Sequence, residues 1–231
     1  MKQRDKSLDE FLDDCAWFAR LPVAQRDRVR MDSYCVRHGH KEVVGRVGER
    51  VLSWIGVIDG LLKVTVGSRQ GKAVIYTSIP AGSWMGEGSV LKDEVRHYDV
   101  ITVGETLTAH VPLATFRWLL ASSLEFNHFI IEQLNARLAQ MMAAIEVDRL
   151  TTHTERVASS ICGLFDPVLY PHADLFIPIS QVEFGELSGL SRQATNAALR
   201  ELSDQGMVSV QYGGLTVLDL HGLRAIARVH Q

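Results

Sequence analysis

The sequence predicts an α+β protein in three parts: an N-terminal double-stranded β-helix of jelly-roll type, one long helix, and a C-terminal winged helix-turn-helix. Three observations predict it. From about Ser33 to Pro112, short runs rich in Val, Ile, Tyr and Thr are cut by glycines, as in small sandwiches and barrels. From Ser122 to about Leu150 there is neither Pro nor Gly. From Ser180 onward two capped helical patterns meet at a glycine and are followed by an alternating segment.

In chain order, "LDEFLDDCAWFARL" opens a helical stretch from Leu8 to Met31, interrupted by Pro22. The strand runs are "YCVRHGHKEVV", "RVLSWIGVIDG", "LLKVTVGS", "KAVIYTSI" and "YDVITVGETLTAHV", with turns at Asp59-Gly60, Pro80-Ala81-Gly82 and Gly86-Glu87-Gly88. A short helix, "PLATFRWLLASS", leads to the long one, for which Ser122 and Glu125 offer a capping box. On it Ile131, Leu134, Leu138, Met141 and Ile145 recur at alternating steps of three and four, a heptad seam. A helix of this length, on the order of 40 Å, outruns one small sandwich. The seam is therefore expected to meet a second copy and form a homodimer. The expected divisions are 1–121 for the roll, 122–150 for the dimerisation helix and 151–231 for the winged helix.

In the third part, Ser180 and Glu183 form a capping box, and Phe184, Leu187 and Leu190 face inward. Gly189 supplies a tight turn and Ser191 caps the next helix. That helix buries Ala194, Ala198, Leu199 and Leu202 and is expected to expose Arg192, Gln193, Thr195, Asn196 and Arg200. Arg can donate bidentately to guanine, and Gln or Asn can pair with adenine, so Arg192, Gln193, Thr195 and Asn196 are the expected base contacts. Ser180, Gln181, Ser191 and Arg200 are the expected phosphate contacts. "MVSVQYGGLTVLDL" alternates about Gly213-Gly214 and completes a hairpin wing.

Composition limits the alternatives. With 231 residues and 46% of them hydrophobic, the chain can build one or two cores. No apolar run of eighteen residues is present and the first residues are charged, so no membrane partner and a cytoplasmic setting are expected. Three distant cysteines, Cys15, Cys35 and Cys162, read as reduced thiols. The net charge of −3 does not mark a nucleic-acid binder, and from Ser180 on four arginines face five carboxylates. DNA binding must then rest on local charge placement and on dimerisation.

The whole chain resembles the CRP/FNR family of bacterial transcription regulators, over roughly Phe18 to Arg224. The resemblance rests on the roll with Gly48-Glu49, Asp59-Gly60-Leu61-Leu62-Lys63-Val64 and Pro80-Ala81-Gly82-Ser83-Trp84-Met85-Gly86-Glu87, and on the long helix. It rests equally on Thr154-Glu155-Arg156-Val157-Ala158, and on Gly189-Leu190-Ser191-Arg192-Gln193 with the segment Leu202 to Val208. It implies a dimeric, non-enzymatic DNA-binding switch that works with RNA polymerase. A small effector in the roll would reposition the winged helices. It implies guanine reading at Arg192, while Gln193 and Ala197 depart from the commoner residues, so the operator should differ from the best-known sites.

The resemblance also implies an effector site at Gly86, Glu87, Arg96 and His97, walled by Met141 and Met142 of the long helix. A guanidinium and exposed turn N–H groups suit a phosphate. However, His97 stands where a hydroxyl residue is expected, and the two methionines replace the adenine-contacting pair. These departures weigh against a cyclic nucleotide. They leave open another small anionic or apolar effector, or a ligand-free ion pair between Glu87 and Arg96 that braces the roll. No cofactor is otherwise implied. A metal-dependent cupin-type enzyme is the alternative raised by His38-Gly39-His40, whose imidazoles would share one strand face; it lacks a suitably placed carboxylate and third His. The more favoured reading of that stretch is a solvated strand end. A cyclic-nucleotide sensor acting through protein partners is the other alternative.

Overall fold

The structure is a computed structural model that describes residues 6–67, 73–150 and 152–227. The predicted architecture of roll, long helix and winged helix is present. The first helical stretch is three pieces, α1 (Leu8–Asp14), α2 (Ala16–Ala19) and α3 (Val23–Asp32). The break at Pro22 is joined by a second at Cys15, whose backbone is extended.

The roll contains β1 (Tyr34–His38), β2 (Val43–Gly45), β3 (Ser53–Asp59), β4 (Leu61–Gly67), β5 (Ala73–Pro80), β6 (Trp84–Met85), a short α4 (Glu87–Lys92), β7 (Asp99–Thr102) and β8 (Thr106–Pro112). They form two four-stranded antiparallel sheets, ordered β1-β8-β3-β6 and β2-β7-β4-β5. Alternation sorts the side chains of β3 between two cores. Ile55 and Val57 face the second sheet, joining Leu62, Val64, Ile79 and Val100. Trp54 and Ile58 face outward into a helical layer with Phe11, Trp17, Phe18, Phe116 and Phe126. Both faces of this strand are buried, so it reads as one apolar run. In the outer layer the Trp54 and Trp84 rings stack at 4.1 Å.

After α5 (Leu113–Ser122) comes α6 (Leu124–Leu150), 27 residues long. Its cap is Ser123, one residue later than expected: the Phe126 amide donates to Ser123 Oγ at 3.2 Å. Ser122 instead completes α5, its hydroxyl donating to the Trp118 carbonyl. The shift follows from Phe126, which is fully buried and sets the phase of α6 on the core.

The C-terminal part comprises α7 (His153–Cys162), a 3-10 turn over Gly163–Phe165, β9 (Phe176–Ile177), α8 (Gln181–Ser188), α9 (Arg192–Asp204), β10 (Val208–Gln211), β11 (Gly214–Val217) and α10 (Leu220–Ile226). The hairpin turn is Tyr212-Gly213, displaced by one from the expected pair, with Gly213 at φ +82. Gly214 lies within β11, where an added Cβ would come 2.6 Å from the Ile177 carbonyl of β9.

Gly56 of β3 sits under Phe11, and a Cβ there would lie 2.9 Å from that ring. Because the site is already filled, Gly56→Val should lower stability by about 1–3 kcal/mol, as overpacking does. Urea unfolding followed by tryptophan fluorescence measures this.

Candidate functional site

The helix pair is built by local chemistry. Ser180 accepts from the Glu183 amide while Glu183 accepts from the Ser180 amide, so α8 starts with a reciprocal cap. Gly189, at φ +64, ends it. Ser191 then accepts from the Ala194 amide to start α9. Two residues have structural roles that the sequence did not indicate. Gly185 sits where α9 comes close: a Cβ there would lie 3.0 Å from Thr195 Oγ1 and 3.2 Å from the Leu190 carbonyl. Arg156 of α7 donates to the Ser188 carbonyl at 2.6 Å and so clamps the C-terminal end of α8 with a cation. The spacing of small residues around the turn could have flagged Gly185; nothing in the sequence pairs Arg156 with Ser188.

Arg192, Gln193 and Arg200 are exposed on α9, and Ser180, Gln181 and Ser191 are exposed at the two helix starts. Thr195 is a correction. It is fully buried and its hydroxyl donates to the Ser191 carbonyl at 3.0 Å, so it packs α9 against α8 rather than facing outward. Asn196 is half-buried with Oδ1 enclosed. With Gln181, Leu199, Arg200, Ser203 and Val210 it lines a groove of about 240 Å³ beside the wing.

At the roll, Gly86 adopts φ +92 and leads into α4. Glu87 is buried, but its partner is not Arg96. Arg137 of α6 donates Nε to Glu87 Oε1 at 3.1 Å, Nη2 to the Trp84 carbonyl at 2.8 Å and Nη1 to the Tyr170 hydroxyl at 3.2 Å. Burial alone would lower the Arg137 pKa; the Glu87 carboxylate and Tyr170 outweigh it and hold the guanidinium above its ordinary value. The expected Glu87–Arg96 pair is thus replaced, because α6 crosses the mouth of the roll and brings its own cation. Arg96 is buried against Gly45 and lies 5.7 Å from the Tyr98 ring centre; among the described residues its Nη1 has no hydrogen-bond partner. Glu87 Oε2 likewise has none among the described residues. His97 points outward, near Glu94. Met141 and Met142 are exposed, with Met141 Sδ 3.9 Å from the Tyr76 hydroxyl.

His38 is buried rather than solvated, and β1 ends there, so His40 lies beyond the strand, exposed. The two imidazoles therefore share no strand face, and among the described residues no cluster of three metal-binding side chains forms. His38 belongs to a different assembly inside the roll. Its Nδ1 meets Glu42 at 2.9 Å and its Nε2 meets Thr108 Oγ1 at 3.1 Å. Thr108 meets His110 Nε2 at 2.8 Å, and His110 Nδ1 meets Ser53 Oγ at 2.8 Å. Burial, with smaller contributions from His38 and Arg96, pushes the His110 imidazole down to about 4.

The seam residues Ile131, Leu134, Leu138, Met141 and Ile145 are 38% to 56% exposed, a continuous apolar stripe uncovered within one chain. Among the described residues no helix is long and apolar enough to cross a membrane.

A jelly-roll with a buried Gly-Glu turn, carrying a winged helix on a long helix, defines a sensor-linked DNA-binding regulator. Comparisons with known proteins agree. Residues 35–123 match the cyclic nucleotide-binding domain family and residues 155–226 match the Crp-like helix-turn-helix domain. The chain is similar to the cAMP-activated global transcriptional regulator CRP of Pasteurella multocida, 26% identical over 201 residues, covering 83% of this chain and 93% of that one. The Haemophilus influenzae CRP is 24% identical over 205 residues, covering 85% and 91%. In fold it is similar to FixK2 of Bradyrhizobium japonicum, with TM-score 0.72 and 14% identity over 86% of this chain and 99% of that one. It is also similar to the c-di-GMP responsive regulator CLP of Xanthomonas campestris, with TM-score 0.63 and 18% identity over 85% and 99%. The chain belongs to the CRP/FNR family of DNA-binding transcription regulators.

Two outcomes follow from this geometry. Gly185→Val should separate α8 from α9 and abolish DNA binding while leaving the roll folded, as read by gel shift beside circular dichroism. His110 has an ordinary value of 6.5 and a folded value near 4, so the unfolded chain binds the extra proton between them. The stability that His110 contributes is complete above about pH 6.5 and is lost as pH falls towards 4. His38, Arg96 and Tyr34, whose ring stacks on the imidazole at 5.0 Å, are ionisable groups facing it. Urea midpoints taken from about pH 7 to about pH 4.5 should fall for the native protein and fall less for His110→Gln.

Proposed function

We propose that the protein acts in the bacterial cytoplasm as a homodimer that reads a two-fold symmetric operator through α9 and responds to a small effector in the roll. The observation that carries the DNA reading is the exposed set Arg192, Gln193 and Arg200 beginning at the Ser191 cap. Arg192 and Gln193 serve as base readers, with Asn196 at the groove edge. Ser180, Gln181, Ser191 and Arg200 serve as phosphate contacts, where helix starts and hydroxyls favour anions. Thr195 serves as a packing residue.

The exposed stripe from Ile131 to Ile145 supports pairing with a second copy. Pairing gives two recognition helices one relation in space, with half-sites about one helical turn apart. It also compensates for a winged helix that is not basic overall. CRP relatives are named for activation by cAMP and CLP for its response to c-di-GMP, so this fold takes more than one effector. Here the orphaned Arg96 Nη1 and Glu87 Oε2 support a polar or anionic ligand. The outward His97 and the prior claim of Arg137 on Glu87 argue against a conventional cyclic-nucleotide fit. The reading as a regulator without enzymatic activity follows the relatives, which are transcriptional regulators.

Arg192→Ala should lose about 1–3 kcal/mol of discrimination between a selected operator and random DNA, with the dimer intact. Gel shifts against a site pool measure this, and unchanged preference would remove Arg192 from the interface. Leu138→Arg places a charge in the stripe and should give a monomer by analytical ultracentrifugation, with operator affinity lost.

A further inference from the structure

The space between the two sheets of the roll is filled partly by residues from the winged-helix part. Leu169 and Tyr170 lie in the segment after the 3-10 turn, yet they belong to the core cluster of Ile55, Val57, Leu62, Val64, Ile79, Met85 and Val100. They are 1% and 2% exposed. The Tyr170 hydroxyl ties its own segment to α6 and to β5. It takes a hydrogen bond from Arg137 of α6 at 3.2 Å, meets Thr77 Oγ1 of β5 at 3.2 Å and lies 3.4 Å from Gln140 Nε2. Arg137 is the same group that holds Glu87.

The segment is held by hydrogen bonds at its start. Asp166 Oδ1 accepts from the Val168 and Leu169 amides, and Gln133 of α6 donates to the Val168 carbonyl at 2.7 Å. Docking continues outside the roll, where Lys63 of β4 pairs with Glu183 of α8 at 3.2 Å, both side chains 14% exposed. Burial pushes the Glu183 carboxyl up, but Ser180 and Lys63 hold it below its ordinary value. The winged helix is therefore fastened to its own roll, with Leu169 and Tyr170 buried in the roll's core.

We propose that Leu169 and Tyr170 are an internal occupant of the effector cavity, and that an effector and the docked winged helix exclude one another. The plug also describes the ligand. A hydroxylated aromatic compound can set its ring where the Tyr170 ring lies and its hydroxyl between Arg137 and Thr77. Entry of such a compound expels the segment and frees the winged helix to move relative to the roll. This deepens the effector reading above and rests on the cavity being the sensing site.

The test uses the full chain. Hydrogen exchange is followed by mass spectrometry in the native protein, in Leu169→Ala/Tyr170→Ala and in Tyr170→Phe. In the double variant, amides of α8 and of residues 166–180 should exchange at least about tenfold faster, as a shifted docking equilibrium requires, while β3 and β8 stay protected. Tyr170→Phe, which keeps the ring and removes only the hydroxyl, should give a smaller rise in the same segments and serves if the double variant fails to fold. The probe 4-methylphenol should bind Tyr170→Ala by calorimetry at least about tenfold more tightly than it binds the native protein. Unchanged exchange in folded variants, or equal affinity of the probe for both proteins, overturns the proposal. Neither the exchange nor the calorimetry uses DNA, so a protein that binds no operator would overturn the regulator reading alone.

Discussion

A guanidinium buried among apolar groups must have acceptors around it, and the position of Arg137 follows from that demand. Its three donors point to three different parts of the chain: Glu87 at the start of α4, the Trp84 carbonyl on β6, and Tyr170 on the way into the winged helix. Moving α6 along or around its axis would strand the charge. The register of the long helix on the roll is thus held by Arg137 together with the buried Phe126. Glu87, α6 and the segment that carries the winged helix are thus joined through one guanidinium.

The roll around this junction is covered on both sides. Helices α1 to α3, α5 and α6 bury the outer face of the first sheet, and the second sheet closes over its inner face. A strand enclosed this way shows little alternation, and the polar groups it does carry must satisfy one another. Ser53, His110, Thr108 and His38 do so in series, ending at Glu42 near the surface. Among the described residues, Arg96 Nη1 and Glu87 Oε2 are two buried charged-group atoms of the roll that lack a hydrogen-bond partner.

The DNA face solves a different problem, because its domain carries no excess of positive charge. Its polar groups are concentrated at two serine-capped helix starts and on one side of α9. The apolar side of α9 is spent on α8, α7 and the wing. Thr195 marks the boundary: one position from Asn196, it faces the interior because Gly185 lets α8 approach so closely.

Capping boxes, turn glycines, helical and strand periodicities and the heptad stripe all act over a few neighbouring residues. The order roll, long helix, winged helix could therefore be read directly, as could Ser180, Ser191, Gly189 and the exposed Arg192 and Gln193. The failures were also local in origin. The cap moved from Ser122 to Ser123 because Phe126 had to reach the core, and His38 and His40 parted because β1 stops between them. What only the tertiary structure decided is which distant charges meet: Glu87 with Arg137 rather than Arg96, Lys63 with Glu183, and Tyr170 with the inside of the roll. Such pairings depend on how α6 crosses the roll and how the winged helix docks on it, and no pattern along the chain records an angle between elements.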